Sequence, residues 1–132
     1  MSKNQNVIAF NKQLFDFLKQ SNILCDRMKS TCIQQTDIIK MENLVNVKED
    51  SLISLFITYG LKYKPIFETY DYNAVGKFDI KSIDLATVNV TAIAKYLEFK
   101  KLWDRLNADN KKKIFDYMKS LCNISQNYLI AV

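Results

Sequence analysis

The chain has 132 residues, of which 48% are hydrophobic and 12% aromatic, and it carries a formal net charge of +5. That length supports one domain with its own core, and that composition excludes a disordered tail. Histidine is absent altogether. Its absence removes Ser/His/Asp and Cys/His nucleophilic catalysis, imidazole acid–base chemistry and nearly all zinc sites. A carboxylate or lysine mechanism stays open in principle, but no residue pattern points to one.

In chain order, Val7, Phe10, Leu14 and Phe17 recur at spacings of three and four, with Ile8, Phe15 and Leu18 widening the stripe. This predicts a first amphipathic helix that stops near Ser21-Asn22. A second helical stretch is expected from about 24 to 45, on Leu24, Met28, Cys32, Ile38, Ile39 and Met41, with a weak point at Thr31–Thr36. Asn46 to Asp50 reads as a polar turn. Asp50 or Ser51 is placed to cap a third helix carrying Leu52, Leu55, Phe56 and Tyr59. Gly60 weakens the end of that helix, and Pro65 kinks it or opens a fresh turn over Pro65–Tyr70.

Residues 71–82 (DYNAVGKFDIKS) are the one long loop in the pattern. From Ile83 to Leu106 the apolar residues Ile93, Tyr96, Leu97, Phe99, Trp103 and Leu106 return to helical spacing. The β-branched run Thr87–Thr91 leaves room for a short strand at its start. Asn107 is a good cap for a last helix presenting Ile114, Met118, Leu121 and Ser125 on one line. With only two glycines and one proline, tight hairpins and phosphate-cradling loops are disfavoured. The expected fold is all-α, a single compact domain of five to six helices spanning 1–132.

Three cysteines, Cys25, Cys32 and Cys122, form no metal-type pair and read as reduced thiols packed in the core. On one continuous helix, Cys25 and Cys32 would lie two turns apart, too far for a disulfide. The opening MSKNQNV lacks the apolar segment of a signal peptide, and no run approaches the roughly 18 apolar residues of a membrane span. A protein that is not secreted is expected. The sequons at Asn89 and Asn123 read as chance matches.

Three features are candidate sites. The 71–82 loop matches part of a calcium-binding EF-hand loop, with Asp71, Asn73, Gly76, Phe78 and Asp79 at the first, third, sixth, eighth and ninth positions. Val75 and Ser82 occupy two ligand positions without supplying suitable ligands, so a polar turn with Gly76 at positive φ is the better account. Lys100, Lys101, Arg105, Lys111, Lys112 and Lys113 form the densest basic region, with Phe99, Trp103 and Phe115 nearby, as a single-strand nucleic-acid surface requires. Those aromatics fall on the apolar stripe, however, and Asp104, Asp109 and Asp116 dilute the charge, which favours a solvated helix face. Tyr59, Tyr63, Tyr70 and Tyr72, clustered around Pro65, are the candidate protein-interaction surface, since tyrosine is enriched at interfaces. The positive charge itself is spread along the chain: residues 1–83 hold 11 basic and 9 acidic groups, residues 84–132 hold 8 and 5.

Three segments, FNKQLFDFL (Phe10–Leu18), LISLFITYGLKYKPIFETYD (Leu52–Asp71) and KLWDRLNADNKKKIFDYMKSLCNIS (Lys101–Ser125), together resemble a family of small all-helical proteins encoded by giant viruses, the nucleocytoplasmic large DNA viruses. The middle segment is similar to the family's tyrosine-containing stretch with its proline displaced. The last is similar to its closing tryptophan, polar cap and helix. Asn22 to Val45 departs from the family pattern, lacking an acidic-proline turn after the first helix. The resemblance implies a non-enzymatic viral accessory or virion-associated protein in host cytoplasm, viral factory or particle, without a cofactor or metal. Its expected partner is a viral or host protein or another copy of itself, with nucleic acid the less favoured alternative.

Overall fold

The computed structural model describes residues 2–77 and 90–131, and for 76, 77 and 90–93 the backbone alone. The chain enters α1 (Lys3–Arg27) through a reciprocal cap, in which Gln5 N donates to Ser2 Oγ at 3.1 Å and Ser2 N donates to Gln5 Oε1 at 2.9 Å. There follow α2 (Gln35–Val47), α3 (Ser51–Tyr59), α4 (Lys64–Glu68), α5 (Val90–Arg105) and α6 (Ala108–Ile130). Short 3-10 turns cover Leu61–Tyr63 and Tyr72–Lys77. No strand occurs among the described residues, and the fold is all-α, as the helical spacing leads one to expect.

The long helices α1 and α6 form an antiparallel pair. Lys3 Nζ donates to Tyr128 O at 3.0 Å at one end, Phe17 meets Tyr117 with ring centroids 5.3 Å apart near the middle, and Leu24 approaches Ile114 across the groove toward the other end. Around this pair the apolar side chains sort into two clusters. One, near the start of α1, holds Val7, Phe10, Leu52, Ile53 and Leu121. The other, near its end, is built around Cys25, Phe67, Leu102, Trp103, Phe115 and Cys122. Phe56 and Met118 pack against both and join them.

Several boundaries differ from those read off the sequence. Helix α1 continues past Ser21-Asn22 to Arg27, because Ser21 is buried and Asn22 Nδ2 donates across to Ile33 O at 3.1 Å. These two polar residues serve tertiary contacts instead of ending the helix. The expected helix over 24–45 is interrupted by residues 28–34, and α2 begins only at Gln35. Met28 caps α1, Lys29 follows with φ 55°, and Ser30 N donates to Cys25 O at 2.8 Å while Lys29 N donates to Asp26 O at 3.3 Å. This is a Schellman-type reversal in which lysine occupies the position that favours glycine. Cys25 and Cys32 therefore do not share a helix.

The same device closes α4. Tyr70 has φ 53°, Asp71 N donates to Ile66 O at 3.1 Å and Tyr70 N donates to Phe67 O at 3.3 Å. Pro65 sits in the first turn of α4, so it opens a new helix, and Asn107 caps α6 by accepting from Asn110 N at 2.9 Å. The expected long loop is in part a 3-10 turn over Tyr72–Lys77, and no described glycine takes a positive φ, so the positive φ expected at Gly76 is not found. The remainder of that loop and the possible strand at Thr87–Asn89 lie outside the described residues.

The left-handed conformation costs a lysine about 1 kcal/mol or more. Lys29 is exposed, and Lys29→Gly is expected to stabilise the fold by about 0.5–1 kcal/mol, after the larger unfolded-state entropy of glycine is counted. The check is a higher urea midpoint with an unchanged slope. At Tyr70 the same φ carries a side chain with partners, and glycine there would remove them.

Candidate functional site

The four tyrosines around Pro65 do not form one open patch. Tyr59 is 37% exposed, near the end of α3. Tyr63 is half-buried against the second cluster. The reversal at Tyr70 turns the chain back onto α6, and this takes Tyr72 inward: its ring lies 4.9 Å from Phe115 and 6.0 Å from Trp103, and its carbonyl accepts from Trp103 Nε1 at 3.1 Å. Tyr70 stays at the boundary. Its hydroxyl donates to Asp116 Oδ1 at 2.7 Å and accepts from Lys119 Nζ at 3.2 Å, while the Lys119 and Lys112 ammonium groups lie 4.9 and 5.7 Å from its ring centre. Hydrogen bonds from Lys112 and then Tyr70 hold the Asp116 carboxyl below the usual carboxylate range.

The basic region folds into the elbow between α5 and α6, where most of its cations have local partners. Lys101 pairs with Glu98 at 3.6 Å and Lys112 with Asp116 at 2.8 Å. Arg105 donates to Met28 O at 3.1 Å, tying the end of α5 to the end of α1. Lys100 lies 5.8 Å from the Tyr96 ring centre and Lys111 lies 5.4 Å from that of Trp103. Lys113 is exposed beside the groove between α1 and α6. Trp103 and Phe115 are buried, so their faces serve the core and leave no stacking platform for bases there.

The calcium-like loop has the first of its two ligand-poor positions inside the core. Val75 is buried in the second cluster, held there by the 3-10 turn, while Asp71 and Asn73 point to solvent. No group of three carboxylate or thiol ligands capable of holding a metal occurs among the described residues. Phe78, Asp79 and Ser82 lie outside them.

Two arrangements had no clear signal in the sequence. A groove of about 680 Å³ runs between α1 and α6, lined by Phe17, Ile23, Arg27, Lys113, Ile114 and Tyr117; it is wide open, and Tyr117 Oη donates to Asp16 Oδ2 at 2.7 Å on its wall. The other is the outer surface of α2 and α3. Helix α2 turns Ile38, Met41 and Val45 to the core and leaves Ile39, Leu44 and Val47 exposed, Val47 at 90%. Leu55 and Tyr59, one turn apart on α3, are exposed as well. A faint sign was present: α2 holds more apolar residues than a single stripe needs.

A lysine fastens α5 to this part of the fold. Lys95 Nζ donates to Thr31 O at 2.7 Å and Gln34 Oε1 at 2.8 Å and pairs with Asp37 Oδ2 at 2.8 Å, so the 28–34 connector and the start of α2 share one cation. Burial raises the Asp37 carboxyl, but the Lys95 hydrogen bond, the Gln34 amide and the nearby positive charge outweigh it and leave the group lowered. A lowered folded-state value gives stability that is present above the unfolded carboxylate range and lost as pH falls through the folded one. Lys95→Met is expected to cost about 1–2 kcal/mol at neutral pH, with the difference from the parent shrinking as pH falls through the lowered range of the Asp37 carboxyl. Urea titrations at neutral and acid pH check it.

No helix among the described residues is long and apolar enough to cross a membrane. No family model matches the chain, and neither a curated protein nor a solved structure matches it.

Proposed function

We propose that this protein is a non-enzymatic accessory or virion-associated component of a large DNA virus and that it works through protein–protein contacts. The observation that carries the contact reading is the outward side of α2 and α3, where Ile39, Leu44, Val47, Leu55 and Tyr59 expose apolar surface that the core does not use. Contiguous apolar surface at solvent is characteristic of interaction sites, and these five side chains supply the apolar area for one. Tyr59 belongs to this set, and Tyr63 lies just beyond it along the chain. The non-enzymatic part rests on composition, above all the absence of histidine. The viral setting rests on the resemblance of the three segments to the giant-virus family.

The basic elbow of Lys100, Lys101, Arg105, Lys111, Lys112 and Lys113 supports nucleic-acid binding less well, because most of its cations are already placed against carboxylates, carbonyls or rings. The test compares the parent with Leu44→Lys/Val47→Lys/Leu55→Lys, whose changes all lie at exposed positions. Sedimentation measures self-association, and quantitative pull-down from infected cells together with mass spectrometry of purified particles measures partners. Loss of association in the variant, with its far-UV spectrum unchanged, is the expected result. A strictly monomeric parent that is absent from particles and enriches nothing over the variant would overturn the reading. Tight binding to single-stranded DNA that weakens steeply with salt would replace it with the nucleic-acid one.

A further inference from the structure

The reversal after α1 does more than end a helix. With Lys29 in the left-handed region, residues 30–33 run back along the last turn of α1 and are pinned there by two hydrogen bonds, Ser30 N to Cys25 O at 2.8 Å and Asn22 Nδ2 to Ile33 O at 3.1 Å, while Cys32 N donates to Ser30 Oγ at 3.2 Å within the connector. This lays Cys32 over Cys25. The two are 7% and 1% exposed, members of the same core cluster, and the Cys32 thiol is in hydrogen-bonding contact with the Cys25 sulfur. Cys32 has one further acceptor, Lys95 O at 3.7 Å.

The two sulfurs are not equivalent. The Cys32 thiol, with the Ile33 amide and Ser30 hydroxyl, draws Cys25 down to about 7 against the opposing effect of burial. Cys32 moves the other way, since giving up its proton would remove the donor that serves Cys25 and place a second charge in the same site. Cys122, in the same cluster, is pushed up to about 11 by burial, has no thiol partner and serves as an internal control. Two neighbouring thiols and a third without a thiol partner thus lie in one core.

We propose that Cys25 and Cys32 are a reversible dithiol–disulfide couple whose oxidant is a low-molecular-weight disulfide. Cys25, having lost its proton to solvent, attacks one sulfur of the oxidant; the Cys25–S bond forms, the oxidant's S–S bond breaks and one thiolate leaves. Cys32 then gives up its proton and attacks the Cys25 sulfur, forming the Cys25–Cys32 bond and expelling the second thiolate. Each leaving thiolate takes up one proton, so two protein thiols and one small disulfide become one protein disulfide and two small thiols. Access requires only a local opening at the end of α1, far smaller than unfolding. Oxidation withdraws Cys32 from the Lys95 carbonyl and locks the connector to α1. The inference is independent of the contact reading above.

The experiment incubates the native chain with increasing glutathione disulfide, quenches by acid and maps thiols by mass spectrometry. The expected result is loss of two hydrogens, a peptide pair joined through Cys25 and Cys32, free Cys122 and full reversal by dithiothreitol. Cys32→Ser is expected to accumulate glutathione on Cys25, and Cys122→Ser to oxidise like the parent. Three free thiols at an oxidant level that oxidises the urea-unfolded chain would overturn the proposal. So would a bond involving Cys122, or glutathione held on Cys32 or Cys122 in preference to Cys25. The mapping of the parent needs no variant, so a misfolded substitution does not blunt the test.

Discussion

Phe115→Ala is expected to cost about 3–5 kcal/mol, a large share of the roughly 5–15 kcal/mol that holds a domain folded. Phe115 is 1% exposed and is the hub of the second cluster. Its ring stacks on Trp103 at 5.3 Å with 21° between planes, meets Phe67 edge-on at 5.3 Å and 80°, and lies 4.9 Å from Tyr72. Those three rings come from α5, α4 and the 3-10 turn after it, so they cannot collapse together into the space a phenyl leaves. Trp103 is further restrained by its hydrogen bond to Tyr72 O. A site that collapses poorly keeps its cavity, which places the cost toward the upper end of the range. Phe115→Leu keeps most of the apolar volume and loses the ring contacts, for about 1–2 kcal/mol. Urea unfolding followed by tryptophan fluorescence measures both, since the chain's single tryptophan is Trp103 itself.

The same hub shows why some of the architecture can be read from the sequence and some cannot. Spacing of three and four residues places Ile114, Met118, Leu121 and Ser125 on one line of α6 with Phe115 beside it, and the Asn107 cap follows from local chemistry that acts within a single turn. The end of α1 is different. Ser21 and Asn22 look like stop residues because short polar side chains compete for backbone hydrogen bonds, yet Ser21 is buried and Asn22 is used at a helix–connector contact with a residue eleven positions later. The two left-handed residues are hidden more deeply. Glycine would have announced the turns, but Lys29 and Tyr70 occupy them, so nothing local foretells that Cys32 returns to Cys25 or that Tyr72 turns into the core.

The candidate surfaces follow the same division. The basic residues were visible as a charge run, while their engagement with Met28 O, Asp116 and the Trp103 ring depends on how α5 meets α1 and α6. The apolar outer face of α2 was masked for the opposite reason. Ile38 and Ile39 are adjacent and equally apolar, but only one can face the core, and which of them does so depends on how α2 packs, not on the local sequence.

Phe10→Ala, in the other cluster, is likewise expected to cost about 3–5 kcal/mol. Phe10 is fully buried, its ring 5.5 Å from Phe56, among Val7, Leu52, Ile53 and Leu121. If the two clusters were independent, the costs of changes at Phe10 and Phe115 would add within about 0.5 kcal/mol, as they do for distant sites without shared partners. They are not independent, because Phe56 and Met118 pack against both. Loosening one cluster lets these two side chains shift toward it and weakens their hold on the other. The milder pair Phe10→Leu and Phe115→Leu keeps the chain folded enough for a double-mutant cycle, and a coupling above about 0.5 kcal/mol is expected. Additive costs, or two separate transitions in the urea curve of the double variant, would mean that α1 and α6 carry two cores that merely adjoin. A coupled result with one transition means that the Phe56–Met118 bridge makes the helical domain unfold as a single cooperative unit.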